Sequence, residues 1–229
     1  MKGQDAAVIL YIHPMDNTPT FQEKHPLSIR LWHWILFVAM SCTLITVLLA
    51  STIFRTRNTT ALVTDELQQK GVTVNPEQAR AVSHAFSDKL WDLHTLIGYV
   101  ICGLLLSRML IEISLPGGEK LRTKLKNALQ FKSAAAGAMD DRQHYLLAKR
   151  SYVVFYFLIL VMALTGLGLA FEDVPWLKGS THKFIKQVHS ITQYLIYGYI
   201  LLHLCGVIRT DKGKNAGLVS RMIHGKKEG

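Results

Sequence analysis

Four stretches of this chain, at about 29–54, 91–114, 151–171 and 184–208, are apolar over lengths that match the roughly 20 helical residues needed to cross a hydrocarbon core. The first runs from Ile29 to Phe54 with no charge after Arg30, and the third, Ser151 to Phe171, carries none at all. Hydrophobic residues make up 49% of the chain and charged ones only 18%, gathered into the connections between these runs. The fold expected is therefore all-α: an integral membrane four-helix bundle over 29–208, with a segment at 1–28 before it and a basic tail at 209–229 after it. The N-terminal thirty residues are polar and mixed, so the first span is expected to serve as the membrane signal.

The net charge of +10 reads as topology. Residues 115–150 hold eight Lys or Arg against three acids, and 209–229 hold six against two, which assigns both segments to the cytoplasm. Residues 55–90 carry five basic and four acidic residues and 172–183 two of each, so these loops are expected to face outward. With four spans, the N and C termini both come out cytoplasmic. The basic residues flank apolar spans instead of lining amphipathic helices with interleaved aromatics, which argues against nucleic acid as a partner and for membrane lipid. In the loop at 55–90, Asn75-Pro76-Glu77 predicts the start of a short helix through Phe86. The run Ala134 to Ala138 is expected to be a flexible stretch of the inner loop.

Polarity inside a span asks for a reason, and the second and fourth spans supply several polar groups. Four of the ten histidines, His33, His94, His189 and His203, lie in the apolar runs. An ionisable side chain in hydrocarbon costs on the order of a few kcal/mol and usually faces the protein interior with a function. Their depths are ordered. His33 enters a span that starts inside and His94 one that starts outside, while the fourth span, running inward, carries His189 early and His203 late. The fourteen residues between the last two give a rise of about 21 Å, with the side chains within roughly 40° of one face. His33 thus pairs in depth with His203, and His94 with His189.

Two pairs of neutral imidazoles from different helices suit bis-histidine ligation of two haem irons, one near each membrane face. Zinc would want about four ligands at one point. A histidine can also hydrogen-bond across helices or relay protons, and a histidine-lined metal or proton transporter stays open as a reading. Gly98, Gly103, Gly166, Gly168, Gly198 and Gly206 offer room for a macrocycle, or simply close helix packing. Cys42, Cys102 and Cys205 all sit in apolar runs, no disulfide framework follows, and no Cys-x-x-Cys-His occurs, so a haem would be held without thioether bonds. His13, His25, His84, His144, His182 and His224 are expected to be solvated or interfacial, with His182, seven residues before His189, the least secure of them. Trp32, Trp34 and Trp91 fit an interfacial aromatic belt.

Arg30-Leu31-Trp32-His33-Trp34 in the first span, His94 with Gly98 and Arg108 in the second, and His189 with His203 in the fourth resemble the bacterial and archaeal membrane di-haem cytochromes b. That group includes the cytochrome subunits of nickel-iron hydrogenase, formate dehydrogenase and thiosulfate reductase, and small stand-alone quinone-linked cytochromes. The resemblance implies two haems b in a bacterial inner membrane protein, quinone as redox partner, and a place in a respiratory chain. Metal ligation falls to His33 and His203 for the inner iron and to His94 and His189 for the outer one. Arg30 and Arg108 are expected to meet haem propionates, with Arg209, Lys183 and Lys186 also available. The long outer and inner loops depart from a compact member of the group, which leaves the donor open: an external or periplasmic redox subunit, or a small molecule such as superoxide met directly by a self-sufficient oxidoreductase.

Overall fold

The computed structural model describes residues 27–115, 120–130, 138–171, 173–212 and 218–225, and among them the fold is all-α with no strand. The helices are α1 (Leu27–Ser51), α2 (Thr56–Gln69), α3 (Pro76–Ser114), α4 (Leu121–Gln130), α5 (Ala138–Ala170), α6 (Ser180–Asp211) and α7 (Leu218–His224), with a 3₁₀ turn at Pro175–Leu177. Four helical segments are long and apolar enough to cross a membrane: Leu27–Ser51, Pro76–Ser114, Tyr145–Ala170 and Ser180–Asp211. Only 11–17% of the residues in their most apolar windows are buried within the chain. A soluble helix would hide an apolar stripe, whereas these are apolar around most of their circumference, as lipid-facing helices are.

The helices outrun the apolar runs that announce them. Asn75 opens α3 as expected, with its Oδ1 accepting from the Glu77 amide at 3.0 Å and its own amide donating to Gln78 Oε1 at 3.2 Å, a capping box with Pro76 in the first helical position. The helix does not stop at Phe86. Nothing between there and the second span breaks it, and α3 continues for 39 residues, a length of about 58 Å. The stretch from Ala134 to Gly137, expected to be flexible, lies outside the described residues, while Ala138 is the first residue of α5.

The chain divides into two compact units, one of residues 31–104 and 165–185 and one of residues 1–30, 105–164 and 186–229. In the first, α1 and α3 run antiparallel, tied at one end by Trp32 Nε1 donating to the Leu104 carbonyl at 2.9 Å and at the other by Thr46 Oγ1 against His94 Nδ1 at 3.1 Å. Beyond the apolar runs, α2 lies on the opening turns of α3. Ala79 and Ser83, both 0% exposed, let the helices approach closely, and Thr60 Oγ1 donates to Ser83 Oγ at 3.0 Å. Gly71, at φ +75°, closes α2: its amide donates to Gln68 O and that of Val72 to Leu67 O, a turn that only a residue at home in the left-handed region forms freely. In the second unit α7 is held at both ends. Asp211 Oδ1 accepts from the Val219 amide at 3.2 Å, and Arg30 Nη1 donates to the Ile223 carbonyl at 3.0 Å.

Candidate functional site

His94 is half-buried on α3, and its surroundings decide its chemistry. Thr46 gives its one hydroxyl proton to the Thr43 carbonyl at 2.8 Å, so its oxygen can only accept from His94 Nδ1–H across the 3.1 Å contact. That contact puts the proton on Nδ1 and leaves the Nε2 lone pair for a metal, the tautomer that outer partners impose on ligating histidines. Trp91 stands edge-on to the ring at 5.5 Å.

His33 lies on α1 in the same unit, half-buried, with Trp34 edge-on at 5.6 Å. The antiparallel register set by Trp32–Leu104 and Thr46–His94 puts His33 at the other end of the helix pair, about 20 Å along the axis from His94. These two rings therefore serve different levels. Trp32, expected in the interfacial belt, instead cross-links α1 to α3 through its indole N–H.

α6 runs unbroken from Ser180 to Asp211, and its stretch in the other unit, from Lys186 onward, carries His189 and His203. Helix geometry keeps them about 21 Å apart on one side. The His203 ring stacks on Tyr199 at 6.2 Å and 8°, Tyr199 stacks on Phe155 at 5.0 Å, and its hydroxyl shares a 3.0 Å hydrogen bond with Ser151. His203 is thus oriented by an aromatic column anchored on α5. Tyr199 and Thr46 had not stood out in the sequence, although each lies at a spacing that a depth comparison with the histidines would have singled out: one turn before His203, and level with His94.

Arg30 and Arg108 each have protein partners and a donor to spare. Arg108 pairs with Glu112 at 3.2 Å, donates Nε to Tyr156 Oη at 3.1 Å, and keeps Nη1 buried without an acceptor. Arg30 is turned to α7, with Nε buried and unbonded. Gly225, at φ +75°, passes so close to this guanidinium that an added Cβ would stand 2.7 Å from Nη1.

The donor set fits haem. The imidazoles lie in apolar spans, and among the described residues no group of three or more His, Cys, Asp or Glu converges as a metal cluster would. A methyl group built on Gly98, one turn from His94, or on Gly206, just after His203, meets no atom within 4 Å, which is the clearance a flat macrocycle needs beside its ligand.

A family model described as prokaryotic cytochrome b561 matches residues 24–225. No curated protein and no solved structure matches the chain.

Proposed function

Because the chain belongs to the prokaryotic cytochrome b561 family, and so is a membrane b-type cytochrome of electron transfer, we propose that it holds two haems b and passes electrons between the outer face of the bacterial inner membrane and quinone. His94 and His189 would hold the outer haem, His33 and His203 the inner one. Bound haem supplies reversible one-electron transfer at its iron. The chain's own residues orient the ligands: Thr46, its proton committed to the Thr43 carbonyl, holds His94 as a ligand through Nε2, and Tyr199 with Phe155 and Ser151 steadies His203. Arg108, through its buried Nη1, is the residue best suited to an inner propionate. Arg30, whose Nη1 donates to α7, has a buried, unbonded Nε to offer.

The observation that carries this reading is the contact of His94 Nδ1 with Thr46 Oγ1, whose own proton goes to the Thr43 carbonyl, because it leaves Nε2 free to hold an iron. The basic inner segments support cytoplasmic termini. A pyridine haemochrome assay on the purified chain tests the haem count. It is expected to give close to two haems b per polypeptide, falling to about one in His189→Ala and in His203→Ala, with both haems retained when His182 is replaced by Ala. One haem in the wild type, or an unchanged count in either ligand variant, would refute the pairing.

A further inference from the structure

Beyond the apolar runs, α2 and the opening turns of α3 flank an open cleft of about 390 Å³ lined by Thr56, Arg57, Thr60, Arg80 and His84. Every ionisable side chain on its wall is a base. Arg80 and His84, four residues apart, share one face of α3, and Arg57 comes from α2, so the charges converge from two helices. That convergence is rigid, because Ala79 and Ser83 are fully buried between the helices and Thr60 bonds Ser83 across them.

The cations stand without counterions. Among the described residues the ion pairs are Lys89–Asp92 and Arg108–Glu112, and neither Arg57 nor Arg80 takes part. The backbone adds to the imbalance. α2 begins behind Arg55 with no side-chain cap and no acid in its first turn, so basic residues crowd the positive end of its dipole. Like charges held together by rigid packing, with guanidinium groups outside any ion pair although Glu77 stands one turn from Arg80, match an anion that accepts from several donors at once.

We propose that this cleft binds a small anion of the phosphate or carboxylate class, with Arg57 and Arg80 as the charged donors and His84 as a further hydrogen-bonding group. The site lies on the His94 side of α3, His84 preceding that histidine by ten residues, about 15 Å of helix. Thr56 follows the end of α1 by only five residues. The same chemistry could therefore be offered by a soluble anion or by an anionic phospholipid headgroup. The proposal does not depend on the number of haems.

The haem-loaded full chain in phosphatidylcholine nanodiscs, titrated calorimetrically with inorganic phosphate and with succinate, tests the soluble source. Native mass spectrometry of the same chain after exposure to phosphatidylglycerol tests the lipid source. Saturable binding in one arm is expected, weakened about tenfold by Arg57→Gln and again by Arg80→Gln. Lys89→Gln, an equally solvated change on α3, should leave it unchanged. Each variant is checked for unaltered haem content and monodispersity, so that a folding defect is not mistaken for a binding one. Binding in the first arm identifies a free anion, and retention of phosphatidylglycerol alone identifies a headgroup. Absence of arginine-dependent binding in both arms, or an equal loss in Lys89→Gln, overturns the site.

Discussion

At the scale of single residues, the side chain that matters most after the histidines is Thr46. Its hydroxyl proton goes to Thr43, and its oxygen is what His94 donates to. Thr46→Val keeps the shape and removes that acceptor. It is expected to weaken haem retention at the His94 site by about 10- to 100-fold, as loss of an outer partner to a ligating histidine does. Thr46→Ser should restore most of it. Haem content measured against limiting free haem reads this directly, and an unchanged value in Thr46→Val would mean that the Thr46 hydroxyl does not position His94. The four histidines could be picked out of the sequence because an imidazole among Leu, Ile and Val is conspicuous wherever it lies. Thr46 could not, because threonine is common in apolar helices and its role appears only once α1 and α3 are in register. Arg30 shows the opposite difficulty: as a basic group near the inner face it is a candidate for a propionate, and the structure adds a contact from its Nη1 to the C-terminal end of α7 for which the sequence carries no signal.

At the scale of elements, the segment at 55–90 departs most from what the sequence implied. A single short helix was expected from Asn75 to Phe86; there are two, and the second merges with a membrane span. α2 escaped notice because its residues are polar on average and lack a strong cap, so nothing local distinguishes it from a loop. It is a helix because it can lie on Ala79 and Ser83. Ser83→Leu should force the pair apart, since a large side chain has no space there and the Thr60–Ser83 contact between the helices is lost, leaving Thr60 only the Thr56 carbonyl on its own helix. The expected cost to the α2–α3 contact is about 1–3 kcal/mol. Hydrogen exchange should then become faster through residues 56–69 and stay slow through 91–114. Equal exchange in both variant and wild type would show that α2 is held by something else.

At the scale of the whole molecule, the presence of four spans was legible, because lipid imposes on four runs an apolarity that no soluble helix needs, while the helices that carry them run on past the apolar stretches, α3 by fifteen residues at its start. Orientation rests on the charge bias of the connections. In intact cells a membrane-impermeant maleimide should label Gln68→Cys and leave Lys212→Cys untouched; the reverse would invert the topology and place the His94 end inside. α3 carries one more implication. From Pro76 to Ile97 it contains no glycine and no second proline, and its opening turns are clamped by α2. The segment outside the membrane and the turn that bears His94 are one stiff rod, with no joint at which the cap could swing away as a lid. A push on the cap, whether from a docking protein or from an occupant of the cleft, would reach the imidazole as a displacement along or about the rod axis, so that the cap works on His94 as a handle works on a key.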